Sequence, residues 1–142
     1  MHNILLPVDG SRHAFAAALY VIEFAKRHGT LEVHVANIEP EFAQWPPRTP
    51  EPGADPDQLT ARAHIAMKAV LHAFNEAGIR HQSHVRQGEV AESIVALAGE
   101  LGCDTIVMGT RGLGGLAAVT LGSVTRKVLL LTTLPVLCVK AD

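Results

Sequence analysis

Gly109-Thr110-Arg111-Gly112 is followed by nine residues and then by Gly122-Ser123-Val124-Thr125, a spacing that can build an anion site. The segment leaves an apolar strand and runs into an amphipathic helix. The first amides of a helix have no partner inside it and carry the positive end of its dipole, so they can hold a phosphate. Glycine at 109, 112 and 122 permits backbone angles and close approaches that a side chain would block, while Ser123 and Thr125 add hydroxyls to the free amides. The second candidate is Asp9, in Val8-Asp9-Gly10-Ser11. It can cap the helix that follows, or act on a bound ligand if it lies at the same crevice. Arg111 can reach a phosphate or remain a solvated loop arginine. Arg126 and Lys127 stand in the first turn of the last helix, where positive charge opposes the dipole unless an anion is bound. The plainer reading sends both into solvent.

Apolar periodicity switches repeatedly between strand and helix along the chain. Asn3 to Val8 is a short apolar run suited to a strand covered on both faces, and Ser11 is placed to cap a helix from Arg12 to His28 that ends at Gly29. Leu31 to Ile38 predicts the second strand. From Glu39 to Asp57 the pattern disappears, with six of the eight prolines between Pro40 and Pro56, so residues 39–57 form a surface insertion around Trp45. Leu59, Ala63, Ala66, Met67, Val70, Leu71 and Phe74 then make a helical stripe that stops at Gly78. Arg80 to Arg86 is polar and weakly alternating, as in a strand at a sheet edge. A third helix over Glu89 to Leu101, a strand over Thr105 to Met108, a helix over Ser123 to Leu131 and a strand over Val136 to Lys140 complete the series.

This alternation predicts one α/β domain spanning 1–142: a doubly wound, five-stranded parallel sheet in the order 3-2-1-4-5 with helices on both faces. Ligands of such sheets bind beyond the carboxyl ends of the strands where the winding reverses, here between strands one and four. Asp9 and Gly109 stand at those two ends.

Composition removes several classes of function. Twelve Lys and Arg stand against 14 Asp and Glu, a formal net charge of -2, with no basic run to neutralise nucleic-acid phosphates. The opening residues lack a basic leader. Val128 to Val139 is the greasiest stretch but falls short of the roughly 20 residues of a membrane span. No membrane role and a cytoplasmic location are the expectation. Cys103 and Cys138 fit neither a disulfide framework nor a CxxC metal site and read as core thiols. Among the eight histidines, His81 and His84 are close in sequence but point to opposite faces of a strand, so the histidines read as scattered surface residues.

Three landmarks together resemble the universal stress protein family over essentially the whole chain: Leu6-Pro7-Val8-Asp9-Gly10-Ser11, the Gly-x2-Gly-x9-Gly-Ser spacing from Gly109 to Ser123, and Leu134-Pro135-Val136-Leu137-Cys138-Val139. The resemblance implies a Rossmann-like fold of the adenine nucleotide alpha hydrolase type. Because the glycine motif is complete, it also implies the ATP-binding subgroup, with ATP and Mg2+ or Mn2+ as cofactors. Carried over, it places Pro7 beside the nucleotide and Asp9 near the phosphates, where Asp9 would help hold the metal. Asn37, at the end of strand two, would give backbone hydrogen bonds to adenine. Met108 and Gly109 would flank the ribose, Arg111 would reach or cover the phosphates, Gly112 would let the backbone approach them, and Gly122, Ser123, Val124 and Thr125 would clasp them. One departure is that residues 113–121 contain no basic side chain, which leaves backbone amides, a metal or Arg111 to meet the phosphate charge. Gly114 and Gly115 suggest a flap.

Hydrolysis of ATP needs a positioned water, a base and charges on the transferred group. The chain has Asp9 but no Walker A lysine, no second acid in either phosphate loop, no His-x-Gly-His and no Ser-Gly-Gly loop after strand one. Any turnover is expected to be slow. The leading expectation is a nucleotide-dependent regulatory or stress-response protein read by an unknown partner. The rivals are a slow metal-dependent ATPase or phosphotransferase in the same pocket, and an interaction protein of the same fold that binds no nucleotide. Residues 136–140 form an apolar edge strand, which predicts a homodimer about a two-fold axis through strand five.

Overall fold

The computed structural model describes residues 1–40, 56–111 and 121–141. Its elements run β1 (Asn3–Pro7), α1 (Arg12–His28), β2 (Glu32–Glu39), α2 (Pro56–Ala77), β3 (His81–Gln87), α3 (Val90–Glu100), β4 (Thr105–Gly109), α4 (Ser123–Leu131) and β5 (Val136–Val139). The sheet has five strands in the order β3-β2-β1-β4-β5, and every neighbouring pair is parallel. The expected winding is therefore the one found, with element ends moved by a residue or two. The insertion expected around Trp45 and the flap at Gly114 and Gly115 lie outside the described residues.

Side chains that alternate along each strand divide the core in two. Ile4 and Leu6, Val33 and Val35, and Val107 pack against α1 and α2, where Val21 and Phe74 are fully buried. Leu5, Ala36, Ile106 and Met108 face the other way, against Ile94 and Leu97 of α3 and Val128 of α4. Covering both faces is what lets the central strands be continuous apolar runs. The edge strand β3 has no fully buried position, only half-buried and exposed ones, and is mostly polar for that reason.

Local signals fix where α1 begins and ends. The Ser11 hydroxyl accepts the Ala14 amide at 3.1 Å, which satisfies one of the orphan donors of the first turn. At the other end Gly29, with φ of 95°, donates its amide to the Ala25 carbonyl. Gly10 also has positive φ, 85°, and any Cβ there would lie 3.4 Å from Cα of Ala66. The turn leaving β1 is thus wedged against α2.

Candidate functional site

A cleft opens at the carboxyl ends of the central strands, on the α3 and α4 face of the sheet. Pro7, Val8 and Asp9 form one wall at the end of β1, and Met108, Gly109 and Arg111 form the opposite wall at the end of β4. Ala36 and Ile38 of β2 extend it sideways, Val90 and Ile94 of α3 close it from above, and Val124 and Thr125 reach in from α4. Asp9 and Gly109, 100 residues apart in sequence, meet where the winding reverses. Most of the lining is apolar. The polar groups gather at one end, around Asp9, Arg111 and the start of α4.

That start is built for exposed main-chain donors. Gly122 is the N-cap with φ of -61° and ψ of 157°, and among the described residues no side chain caps the helix. Its own amide is anchored to the Thr110 carbonyl at 2.7 Å. The Thr125 side chain is buried, and its hydroxyl donates to the Gly109 carbonyl at 3.0 Å. This corrects the expectation that Thr125 offers its hydroxyl proton to a ligand: the group ties α4 to the end of β4, while exposed Ser123 keeps its hydroxyl at the surface. The basic residues of the turn also find protein partners. Lys127 pairs with Glu89 at 3.1 Å and Glu92 at 3.8 Å on α3, and Arg126 reaches the Leu121 carbonyl at 3.4 Å. The Glu92 amide above all, with the Lys127 ammonium second, holds the Glu89 carboxyl below its ordinary pKa against the opposing effect of burial.

Gly109 carries a different constraint from the one expected. A Cβ on it would sit 2.6 Å from the carbonyl carbon of His13 and 2.7 Å from His13 Cβ and O. The first turn of α1 lies directly on β4 here. Glycine is required by helix-on-strand packing, whatever else approaches it.

Asn37 needs a larger correction. In a parallel ladder the amide and carbonyl of one residue point to the same side, and the side alternates along the strand. The Val33 amide donates to the Arg80 carbonyl and the Glu39 carbonyl accepts the Gly88 amide on the β3 side, whereas the Glu32 amide donates to the His2 carbonyl and the Ala36 carbonyl accepts the Val8 amide on the β1 side. Asn37 therefore directs its main chain at β3, away from the crevice. The residue whose backbone points to the crevice side is Ile38, and its side chain lines the cleft. The Asn37 side chain is 3% exposed and donates from Nδ2 to the Val8 carbonyl at 2.9 Å.

A model of the universal stress protein family matches residues 1–140. The chain belongs to the universal stress protein family. It is 37% identical to a universal stress protein of Thermus aquaticus over 97% of this chain and 98% of that one. Among solved structures it superposes on the Methanocaldococcus jannaschii protein MJ0577 with a TM-score of 0.78 and 27% identity, covering 99% and 96% of the two chains. It also superposes on a universal stress protein of Archaeoglobus fulgidus solved in complex with dAMP, with a TM-score of 0.71, 23% identity and coverage of 99% and 98%.

Of the family landmarks, Pro7, Asp9, Met108, Gly109, Arg111, Val124 and Thr125 come together around the cleft. Gly122 and Ser123 stand beside it at the head of α4, and Gly112 lies outside the described residues. Ala36, Ile38, Val90 and Ile94 were missed as lining residues, because periodicity marks a residue as inward without separating a core wall from a pocket wall. Of the eight histidines, His34 departs from the expectation of a surface group. His34 is 6% exposed, and its Nδ1 lies 2.9 Å from Nε2 of His84 on the neighbouring strand. Burial first, then the neighbouring His34 and Arg86, depresses the His84 pKa below 6.5. His81 does face the other way, against Phe74. Among the described residues no group of three His, Cys, Asp or Glu could hold a metal ion, and no helix is long and apolar enough to cross a membrane.

Proposed function

We propose that this chain binds ATP as its divalent-metal complex and acts as a nucleotide-dependent regulatory protein of the ATP-binding universal stress protein subgroup, read in the cytoplasm by a protein partner. The observation that carries this reading is the meeting of an apolar cleft with an uncapped helix start at the sheet's switch point. Adenine would lie between Ala36, Ile38, Ile94 and Met108, using the Ile38 main chain. The phosphates would run toward the amides of Ser123 and Val124, with Arg111 beside them. Proteins of this fold hold adenine nucleotides: dAMP in the A. fulgidus protein and AMP in an Arabidopsis thaliana member.

The donor chemistry also fits Mg2+ or Mn2+. Mg2+ is commonly bound through one or two carboxylates, substrate phosphates and water, and Asp9 supplies a single carboxylate at the polar end of the cleft. The metal would thus arrive with the nucleotide. Pairing of the edge strand β5 with that of a second copy would form a homodimer, and sedimentation at micromolar concentration tests that part.

The test of binding is calorimetric titration with ATP, with and without Mg2+, on the parent and on Ser123→Pro. Proline is tolerated at the first helical position, and the extended Gly122 before it suits a pre-proline residue. The substitution removes one amide donor without breaking α4. ATP affinity is expected to fall about tenfold, equivalent to one charge-assisted hydrogen bond, while Ser123→Ala stays near the parent. Millimolar ATP and Mg2+ that give neither heat nor a shift in melting temperature would refute the proposal.

A further inference from the structure

The buried amide of Asn37 is out of place in its setting. On the same face of β2, Val33 and Val35 are fully buried apolar residues, and the pattern calls for a third. Asn37 stands there instead, 3% exposed, with Oδ1 lacking a hydrogen-bond partner. A half-satisfied buried amide is destabilising relative to an apolar side chain of similar shape. Among the described residues its hydrogen-bond partner is the Val8 carbonyl, which accepts from Nδ2 at 2.9 Å.

That carbonyl belongs to the peptide plane that joins Val8 to Asp9. Holding it fixes the direction in which the chain enters Asp9, two residues after β1 ends at Pro7. Three further contacts complete the turn. The Val8 amide donates to the Ala36 carbonyl at 2.8 Å, Asp9 Oδ1 accepts the Ser11 amide at 2.9 Å, and Gly10 at positive φ lies against Ala66. Asn37 is the member of this set whose contribution comes from a side chain of another strand, reaching across to a carbonyl beyond the end of β1.

We propose that Asn37 is a positioning residue: its amide locks the Val8–Asp9 peptide plane so that the Asp9 carboxylate faces the polar end of the cleft. This rests on the nucleotide reading given above and assigns Asn37 to the phosphate and metal end, not to the base. The effect is transmitted through Asp9, which gives it a signature that loss of packing would lack.

The test is a double-mutant cycle on the full chain with Asp9→Asn, Asn37→Leu and the pair, titrating adenosine, ATP, and ATP with Mg2+. Asn37→Leu is expected to lower the gain in ATP affinity that Mg2+ provides by about tenfold, the equivalent of one such contact. Adenosine affinity should change by less than about twofold, and the pair should lose no more than Asp9→Asn alone, because the two act as one unit. Asn37→Asp, an isostere that cannot donate once its carboxyl is ionised, repeats the experiment at alkaline pH, where burial no longer keeps it protonated, if the leucine variant folds poorly. Additive losses in the cycle, or an equal loss for adenosine, would overturn the proposal. If the parent binds no nucleotide, the nucleotide reading and the metal-end role fall together. The clamp is then judged by the amide NMR signals of Asp9, Gly10 and Ser11 in the ligand-free protein, which should move in Asn37→Asp; unmoved signals overturn the clamp as well.

Discussion

Replacing Gly109 with alanine should destabilise the protein even without a ligand. The added methyl group would stand 2.6 Å from the His13 carbonyl carbon and 2.7 Å from His13 Cβ and O. Carbon atoms pack at about 3.5–4.0 Å, so relief requires a shift of about 1 Å. The opposing atoms are mainly backbone in the first turn of α1 and cannot rotate aside. That turn is held by the Ser11 cap and by the buried Ala14, Ala17 and Ala18 beneath it. The cost should fall in the upper part of the range for overpacked cores, about 2–3 kcal/mol. For a chain of this size that is a drop of roughly 6–12 °C in melting temperature. Gly99→Ala is the internal control. Gly99 lies near the end of α3, and a Cβ there meets nothing within 4 Å, so alanine should stabilise by about 0.5–1 kcal/mol through helix propensity alone. Urea titrations followed by circular dichroism measure both. If Gly109→Ala stays within about 0.5 kcal/mol of the parent, inside the spread of ordinary surface substitutions, the packing argument fails. A loss confined to nucleotide affinity would return this glycine to the ligand.

The paired histidines predict a pH-dependent stability. His84 is depressed in the folded state, so stability is full above the unfolded value of about 6.5, falls as pH drops below it, and levels off beneath the folded value. Urea midpoints at pH 5 and pH 7.5 should differ in the parent and converge in His84→Gln; an unchanged difference would remove His84 as its source. Burial, assisted by the neighbouring Asp104 carboxylate, raises the Cys103 thiol to about 11. Since the thiolate is the reactive form, iodoacetamide at pH 8 should leave Cys103 unmodified in the native protein and label it on unfolding. Mass spectrometry of the native digest decides that outcome.

Much of the architecture was legible because the two periods of apolar residues differ so clearly. Val21, Ile22, Val70 and Phe74 repeat at helical spacing, Leu5 and Leu6 lie in a run buried on both faces, and Ser11 and Gly29 mark the ends of α1. Turn and cap chemistry is local, and local chemistry can be read along a chain. The position of the cleft followed from strand order, since the end of β1 and the end of β4 must lie side by side where the winding reverses. Features that depend on the lateral neighbour of a strand were not legible. The pairing of His34 with His84 requires the register that sets Ala36 opposite His84. The side to which Asn37 sends its main chain depends on which residue of β2 first bonds to β1, and no pattern of residue types reports that.

The same limit explains why the glycine motif points to the right positions for partly different reasons. Spacing alone assigns Gly109 and Thr125 to a ligand, yet the first makes room for the backbone of α1 and the second holds the carbonyl of the first. Asn37 in turn holds the carbonyl of Val8. Each of these contacts fixes a peptide plane at the rim of the cleft. A site that recognises its ligand through main-chain groups cannot tune those groups by substitution, because their chemistry is the same for every residue. It can tune only where they point. The side chains under the strongest constraint should therefore include those that brace the backbone from behind, turned away from the ligand, and such residues weaken binding through geometry while leaving every contacting atom in place.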